Sequence, residues 1–285
     1  MQKSRKKFWI VFTSVVASLV LVCVACGLMT RLKTVTVEIR RRADAKYTML
    51  QEGVLDKVKE TGNFDYGKSV LFLNFEDNIS NIEKSNPYVK VEQVIRHFPN
   101  IAKVYISERI PKFRIRDKQD TNKWYILDED LKVLDVVTGG EDAVKQQNYG
   151  RSSSYYERTI KVMPETLTIS AHIGTFVKND TVKDNLNMIA SGIVSALGDI
   201  SLVKSIEIQQ NQFLLTMKNS GINDDNGCEI LLVGSDNLKE KAKAGASAYA
   251  AATDADQNVD LSGKIITITK ENGVFKGIMN DKETA

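Results

Sequence analysis

The longest apolar run of the chain lies near its start, from Phe8 to Met29, where 22 consecutive residues carry no charge. About 20 apolar residues are needed for a helix to cross the hydrocarbon core of a bilayer. Phe8 and Trp9 open the run, as aromatic side chains do at a membrane interface. The pattern therefore predicts a transmembrane helix over residues 8–29 that stays attached to the protein.

Two other interpretations of this run remain open. Ala25-Cys26-Gly27 has the small-x-small form of a signal-peptide cleavage site, although the apolar core of a signal peptide usually has only about 7–15 residues. A lipid attached through Cys23 or Cys26 is a second alternative, but neither cysteine follows a convincing lipobox. Cys228 is the only cysteine after this segment, so no disulfide can form within the part beyond it.

The charges beside the apolar run give a nearly balanced signal for its orientation. Basic residues precede it at Lys3, Arg5, Lys6 and Lys7, and others follow it at Arg31, Lys33 and 40–42. Long domains are translocated largely regardless of charge. We expect residues 1–7 to form a cytoplasmic tail and the rest of the chain to lie outside the membrane.

The next part of the chain shows apolar residues first at the spacing of a strand and then at the spacing of a helix. Val35, Val37 and Ile39 alternate with polar residues, which is typical of a half-buried strand. Apolar residues then recur at helical spacing over 50–58 and 77–84, with Gly62 as a helix stop, and two strand-like runs flank Pro99-Asn100. The predicted order is strand, helix, helix, strand, strand.

A second group of elements follows Pro111. A strand-turn-strand is predicted at 124–127 and 133–134, then a mobile polar loop over 138–158. A helix is predicted over 180–197, with a capping box at Thr181 and Asp184 and a stop at Gly198. Strands follow at 203–208, 213–217 and 228–233, then a helix over 236–251 whose poor apolar face predicts a surface position, and a last hairpin made of 259–261 and 264–269.

Residues with catalytic potential are sparse and scattered. Net charge is +3, which gives little reason to expect nucleic acid as a partner. The two histidines, His97 and His172, have no nucleophile or carboxylate at a spacing that indicates a relay. No glycine-rich phosphate loop and no Cys/His cluster with zinc-ligand spacing is present. We therefore expect no enzyme activity, no cofactor, no metal site and no small-molecule substrate, and a role in binding other proteins.

Several short motifs follow one another behind the N-terminal apolar segment. They are Val70-Leu71-Phe72, Asn86-Pro87-Tyr88-Val89, Phe98-Pro99, Glu108-Arg109-Ile110-Pro111, Tyr125-Ile126-Leu127-Asp128, Val133-Leu134, Leu231-Leu232-Val233-Gly234 with Lys239 and Lys241, and Val259-Asp260-Leu261. In this order and spacing, they resemble the motifs of the bacterial cell-division family FtsQ/DivIB. The resemblance implies an α+β protein with one transmembrane helix, a POTRA domain over 33–111, a mixed β domain with flanking helices over 112–270 and a C-terminal tail over 271–285.

The resemblance also implies a function. Such a protein is a single-pass component of the division septum that binds FtsB/DivIC-like and FtsL-like membrane proteins and links them to septal wall synthesis. An edge strand near the C-terminus accepts a partner strand, and the matching residues are Lys264, Ile265, Ile266, Thr267, Ile268 and Thr269. The competing interpretation is an ordinary strand covered by residues 274–279.

Glu108, Arg109 and Pro111 are predicted to form the joint between the two domains, as an ion pair or capping contact followed by a proline that stops the strand. A direct contact with a partner is the alternative. Two other functions also remain open. One is an anchored POTRA-type polypeptide-binding protein in secretion or envelope assembly. The other is a hydrolase with an unrecognised site, which turnover of a cell-wall or peptide substrate would reveal.

Overall fold

The computed structural model describes residues 2–43, 48–117, 119–140, 143, 159–164, 172–218, 227–255 and 260–282. Helix α1, Gln2–Met29, contains a segment from Val11 to Met29 with a mean hydropathy of 2.5 and side chains that are all exposed. This is the one helix, among the residues described, that is long and apolar enough to cross a membrane. The length and exposure of α1 are consistent with a single-pass anchor.

The remaining chain folds as a mixed α+β protein in two compact units, whose boundary falls between Glu108 and Arg109. The first unit contains β1 (Thr34–Arg41), α2 (Val54–Thr61), α3 (Glu76–Ser85), β2 (Val89–His97) and β3 (Ile101–Glu108). This is the element order that the sequence pattern predicted. Strand β3 lies between a parallel β1 and an antiparallel β2, and the sheet packs on the helices through buried residues that include Val58, Ile82 and Val104.

Helix α2 shows how a correct boundary can have a different cause from the one expected. The helix ends at Thr61, and Gly62 follows it with an ordinary helical φ of −63°. A Cβ added to Gly62 would lie 2.4 Å from the Phe64 ring. Gly62 is therefore needed for this close contact rather than for a left-handed turn. Leu50 is buried but precedes the helix, which begins at Val54.

The second unit is built on a nine-stranded sheet in the order β12-β11-β10-β9-β8-β7-β4-β5-β6. Its strands are β4 (Phe113–Arg116), β5 (Lys123–Leu127), β6 (Val133–Thr138), β7 (Ile160–Pro164), β8 (Val203–Gln209), β9 (Gln212–Met217), β10 (Glu229–Val233), β11 (Lys264–Glu271) and β12 (Val274–Asp281). The predicted strands over 124–127, 133–134, 203–208, 213–217 and 228–233 are confirmed to within a few residues. The polar loop predicted over 138–158 lies mostly outside the described residues.

Two helices of the second unit, α4 (Asp180–Leu197) and α5 (Leu238–Ala255), pack against each other and bury apolar side chains in the same core. The capping box predicted at Thr181 and Asp184 is wrong. The N-cap is Asn179, whose side chain accepts a hydrogen bond from the Val182 amide at 3.1 Å. The predicted stop at Gly198 is confirmed, because Gly198 has a left-handed φ of 75°.

Helix α5 was expected on the surface, and this prediction is wrong for one of its faces. Leu238, Ala242, Ala246 and Tyr249 are buried. Small residues allow the approach that makes this burial possible, since a Cβ on Gly192 of α4 would lie 2.3 Å from the Lys239 carbonyl oxygen. The helix therefore packs through close contact rather than through large apolar side chains.

The last hairpin is also different from the predicted one. Strand β11 pairs with β12, whereas Leu261 precedes a turn and Val259 lies outside the described residues. The segment assigned to a C-terminal tail, 271–285, thus contains a complete strand. The sequence also failed to predict β4 and β7, which lie side by side in parallel in the middle of the sheet.

Candidate protein-interaction site

The residues predicted to accept a partner strand lie inside the sheet. Along its whole length, from Lys264 to Glu271, β11 is paired with β12, and Ile265 to Thr267, near its start, also pair in parallel with β10. The expectation that Lys264–Thr269 forms an open edge is therefore wrong. The structure has the alternative arrangement, an ordinary strand covered by the segment that contains residues 274–279.

The turn between the last two strands explains this outcome. Asn272 and Gly273 both have positive φ angles, 51° and 82°. Two successive residues with positive φ make the tight turn that joins antiparallel strands with matching twist, and Asn-Gly is the pair that adopts it most readily. The Asn-Gly signal is visible in the sequence, and it returns the chain directly along β11.

Strand β12 forms one end of the nine-stranded sheet, and its two faces differ. One face packs on α5, because a Cβ added to Gly277 would lie 2.8 Å from the Ala248 Cβ and 3.0 Å from the Ala244 carbonyl oxygen. On the other face Val274 and Ile278 are 61% and 41% exposed. In the part of the chain that the structure describes, β11 is the only strand paired with β12. The outer edge of β12 is therefore a position where a further strand can hydrogen-bond.

Ion pairs hold both ends of this hairpin. Lys276 lies 2.8 Å from Glu271 beside the turn, and Lys264 lies 2.6 Å from Asp281 at the other end. The hydrogen bond from Lys276, together with its charge, lowers the pKa of Glu271 below its usual value. Exposed pairs of this kind add little stability individually, but they favour one register of the two strands.

A groove of about 830 Å³ runs between α5 and the hairpin. Phe275 lies in it, with the Nζ atom of Lys270 5.2 Å from the ring centre and that of Lys241 5.8 Å away. The groove has an apolar part made by Ala244, Ala248, Val274 and Phe275, and polar side chains around it that include Asn237, Glu240, Lys243, Ser247, Lys270 and Lys276. A segment bound along β12 would thus have an aromatic contact and several lysines beside it.

Lys241 fixes the start of α5 next to this groove. It is 8% exposed, and its ammonium group donates to the Val233 carbonyl oxygen at 2.7 Å and to Asp236 at 2.9 Å. The hydrogen bond from Lys241 is the main reason that the pKa of Asp236 is lowered. Gly234 makes the intervening turn with a φ of 75°. These residues of the Leu231–Gly234 and Lys241 motif thus have a structural role.

Glu108, one of the residues predicted at the domain joint, is fully buried in the first unit. Its carboxylate accepts hydrogen bonds from the Ala43 amide and the Thr48 hydroxyl, both at 2.8 Å, and from the amides of Met49 and Leu50. A buried carboxylate requires this kind of compensation. Glu108 therefore ties the chain that follows β1 to the end of β3.

Arg109 lies in the second unit and is 4% exposed. Its Nη1 atom lies 2.5 Å from Asp128 and 3.1 Å from Asp130, and its guanidinium stacks 5.7 Å from the Phe176 ring centre. Burial raises the pKa of Asp128 although Arg109 opposes the shift. Pro111 is buried, and it lies in the segment between β3, which ends at Glu108, and β4, which begins at Phe113. A role of these residues in a domain joint stays a prediction.

Of the groups considered for catalysis, His97 belongs to the first unit, and His172 and Cys228 belong to the second. His97 and His172 are exposed, and burial raises the pKa of the Cys228 thiol to about 12, which keeps it protonated and unreactive near neutral pH. Within the described ranges, no cluster of three or more His, Cys, Asp and Glu side chains could hold a metal ion.

The comparisons with known proteins leave the chain without an assigned family. No protein-family model matches it, and no curated protein sequence matches it.

Proposed function

We propose that this protein is a membrane-anchored scaffold that binds other membrane proteins by adding a strand of the partner to β12. The observation that carries the proposal is the outer edge of β12, which lies at the end of the sheet and presents exposed Val274 and Ile278. Strand addition uses main-chain hydrogen bonds for affinity and side-chain contacts for specificity. The groove with Phe275 and the surrounding lysines favours a segment that carries apolar and acidic residues.

The biological setting that fits best is bacterial cell division, as the resemblance to FtsQ/DivIB implies. The strand-helix-helix-strand-strand order of the first unit supports its interpretation as a POTRA domain, and the nine-stranded second unit takes the place of the β domain. In this proposal the partners are FtsB/DivIC-like and FtsL-like proteins, which the scaffold links to septal wall synthesis. The site of binding is β12 rather than the Lys264–Thr269 strand inside the sheet.

The division role is tested by the position of an N-terminal fluorescent fusion in dividing host cells. A band at midcell that forms before constriction is the expected result. An even signal around the cell through division would contradict the proposal and would favour the second candidate, an anchored polypeptide-binding protein in secretion or envelope assembly. That candidate rests on the same open edge.

The binding edge is tested separately with Ile278→Lys, which places a charge on the exposed face of β12 without removing a main-chain hydrogen bond. Charged residues on an edge disfavour pairing with another strand. We expect at least a tenfold weaker affinity for the extracytoplasmic segment of the partner, or about 1.4 kcal/mol. Leu55→Lys, at an exposed aliphatic position of α2 in the first unit, is the matched control and should bind normally. Equal affinity of the two variants would exclude this edge.

A further inference from the structure

Four large side chains of the first unit are exposed in two of its loops. Tyr66, Leu71 and Phe72 are 55%, 52% and 88% exposed in the loop after α2, and Phe98 is 71% exposed in the turn between β2 and β3. We call these four residues the juxtamembrane patch. Scattered exposed apolar residues are ordinary, whereas a group at one place usually marks a contact surface.

The loop after α2 is hydrogen-bonded to the residues that directly follow the membrane helix. The Val70 amide donates to the Thr30 carbonyl oxygen at 2.7 Å, and the hydroxyl groups of Thr30 and Ser69 are 2.8 Å apart. Leu32 exchanges two further backbone hydrogen bonds with the loop, with the Lys68 carbonyl oxygen at 2.8 Å and the Gly67 amide at 3.0 Å. The loop is thus attached at the end of α1.

The turn that carries Phe98 is attached at the same place. The amides of Lys33 and Thr34 donate to the Asn100 carbonyl oxygen at 2.9 and 3.4 Å. Since α1 ends at Met29, both loops are bonded to residues within five positions of the membrane helix. All four exposed side chains therefore lie at the end of the first unit from which the helix leaves.

Leu71 and Phe72 are exposed because hydrogen bonds on both sides hold the backbone around them in place. The Arg96 guanidinium donates to the carbonyl oxygens of Val70 and Leu73, at 3.0 and 2.6 Å. Val70 and Leu73 are themselves buried in the core. The two residues between them are therefore held outward by contacts on both sides, and they have no place in the core of their own unit.

The position of α1 gives the depth of this patch. Its apolar segment from Val11 to Met29 has 19 residues, which at about 1.5 Å per residue corresponds to about 28 Å, close to the ~30 Å thickness of a hydrocarbon core. Thr30 then lies at the boundary of the core, and the attached loops lie in the headgroup layer. Tyrosine and other amphipathic aromatic side chains favour that layer.

The charges around the patch match a lipid surface. Arg31 and Lys33 are exposed in the segment after α1, and Lys68 is exposed in the loop after α2, where it forms an ion pair with Asp65 at 2.8 Å. Basic residues beside a membrane helix are attracted to anionic headgroups. The connection to α1 also keeps the patch permanently at the bilayer, so that even weak contacts with lipid are populated.

From these contacts we infer that the juxtamembrane patch binds the interfacial layer of the bilayer that α1 spans. Phe72, Leu71, Phe98 and Tyr66 insert between headgroups, and the neighbouring basic side chains bind anionic lipid phosphates. The first unit is thereby held against the membrane surface by two loops as well as by its anchor. This contact is independent of the partner binding proposed for β12.

The test uses the full chain in lipid nanodiscs that contain anionic lipid, with and without bromine on the acyl chains. Phe72→Trp and Phe98→Trp report on the patch, and Leu55→Trp is the control. Leu55 is five residues from Leu50, whose amide is bonded to Glu108. Glu108 is the last residue of β3, and Ile101, its first residue, lies at the membrane-proximal end. At ~3.4 Å per residue the two are about 24 Å apart, so Leu55 serves as a position remote from the membrane surface.

Quenching is measured relative to the parent chain, because Trp9 and Trp124 are present in every variant. We expect brominated lipid to quench the added tryptophan at position 72 or 98 at least twofold more than the one at position 55, with lower accessibility to aqueous acrylamide. The inference is overturned if both patch positions behave like position 55. A partner protein would then be the occupant of the patch.

Discussion

Arg109 and Asp128 form a buried ion pair at the start of the second unit. Both side chains are only 3% exposed. Asp128 also accepts hydrogen bonds from the amides of Asp130 and Lys132, at 2.9 and 2.8 Å. Burial nevertheless raises the pKa of Asp128, so the loss of water outweighs the attraction of the partner charge. Such a pair adds little net stability, but breaking it is costly because one charge is left uncompensated.

Arg109→Met should therefore destabilise the second unit by about 3–5 kcal/mol near neutral pH. Without Arg109, the folded-state pKa of Asp128 lies further above its unfolded value than in the parent. The loss of stability relative to the parent is therefore small at low pH, where the carboxyl is protonated, and it grows as pH rises towards the higher folded-state pKa of the variant. Denaturant unfolding of the full chain in detergent, followed through the buried Trp124, measures both effects.

The matched control for this experiment is Arg109→Met combined with Asp128→Asn. The amide removes the uncompensated charge while keeping an oxygen for the backbone donors. We expect the double variant to recover part of the lost stability and to show a weaker pH dependence. A single variant that is as stable as the parent at neutral pH would show that Asp128 has another source of compensation.

At the scale of secondary-structure elements, contact between small residues determines how α5 packs. Gly192 touches the backbone of α5, and a Cβ on Gly245 would lie 2.5 Å from the Ile230 side chain. The chain therefore brings α5 close to α4 on one side and to the sheet on the other. Tyr249 completes the contact by donating a hydrogen bond to the Lys218 carbonyl oxygen at 2.7 Å.

Gly192→Ala should consequently destabilise the protein, although alanine is normally the better helix former. The added Cβ would lie 2.3 Å from the Lys239 carbonyl oxygen, which forces the helices apart, and overpacking of this kind costs about 1–3 kcal/mol. Thermal or denaturant unfolding measures the change. Ser195→Ala, at an exposed position of the same helix, should stay within about 0.5 kcal/mol of the parent. Equal stability of the two variants would contradict the close packing.

The elements that the sequence could predict are those with a clear period or turn signal. Helix α4 has a regular apolar stripe and Gly198, and the β2–β3 hairpin flanks Pro99-Asn100. The elements that failed depend on distant parts of the chain. Strand β7 is short and pairs in parallel with both of its neighbours, so no local turn signal indicates it. Strand β4 pairs antiparallel with β5, the next strand along the chain, but it has only four residues, too few for a clear alternation of apolar and polar positions. The burial of α5 failed because a count of large apolar residues misses alanine and glycine contacts.

The position of the open edge illustrates the same limit for the candidate site. A β-branched run at 264–269 correctly indicated a strand. Whether that strand is an edge depends on two pairings. One is local, with β12 through Asn272-Gly273, and the other is parallel, with β10, more than thirty residues earlier. The pairing with β12 could be predicted from the sequence, where it was the alternative interpretation. The pairing with β10 could not.

At the scale of the whole molecule, the exposed surface of α1 distinguishes it from the other described helices, each of which has buried residues. Every described side chain from Val11 to Met29 is exposed, and none of this segment is buried inside the protein. Thr30, directly after the helix, is hydrogen-bonded to Ser69 and Val70. The structure therefore gives α1 the features of an anchor, and β12, where partner binding is proposed, belongs to the second unit.

Replacement of Val11–Met29 by an unrelated apolar helix of the same 19 residues should then preserve both membrane insertion and partner affinity. Equal length keeps the match to the hydrocarbon core, and retention of Thr30 keeps the attachment to Ser69. The measurement is affinity for the extracytoplasmic segment of the partner and, in cells, the position of the fluorescent fusion. Removal of about six residues from the replacement helix is the control, because a span that is too short should impair insertion. A full-length replacement that inserts normally but loses partner binding would show that side chains of α1 itself contact the partner within the membrane.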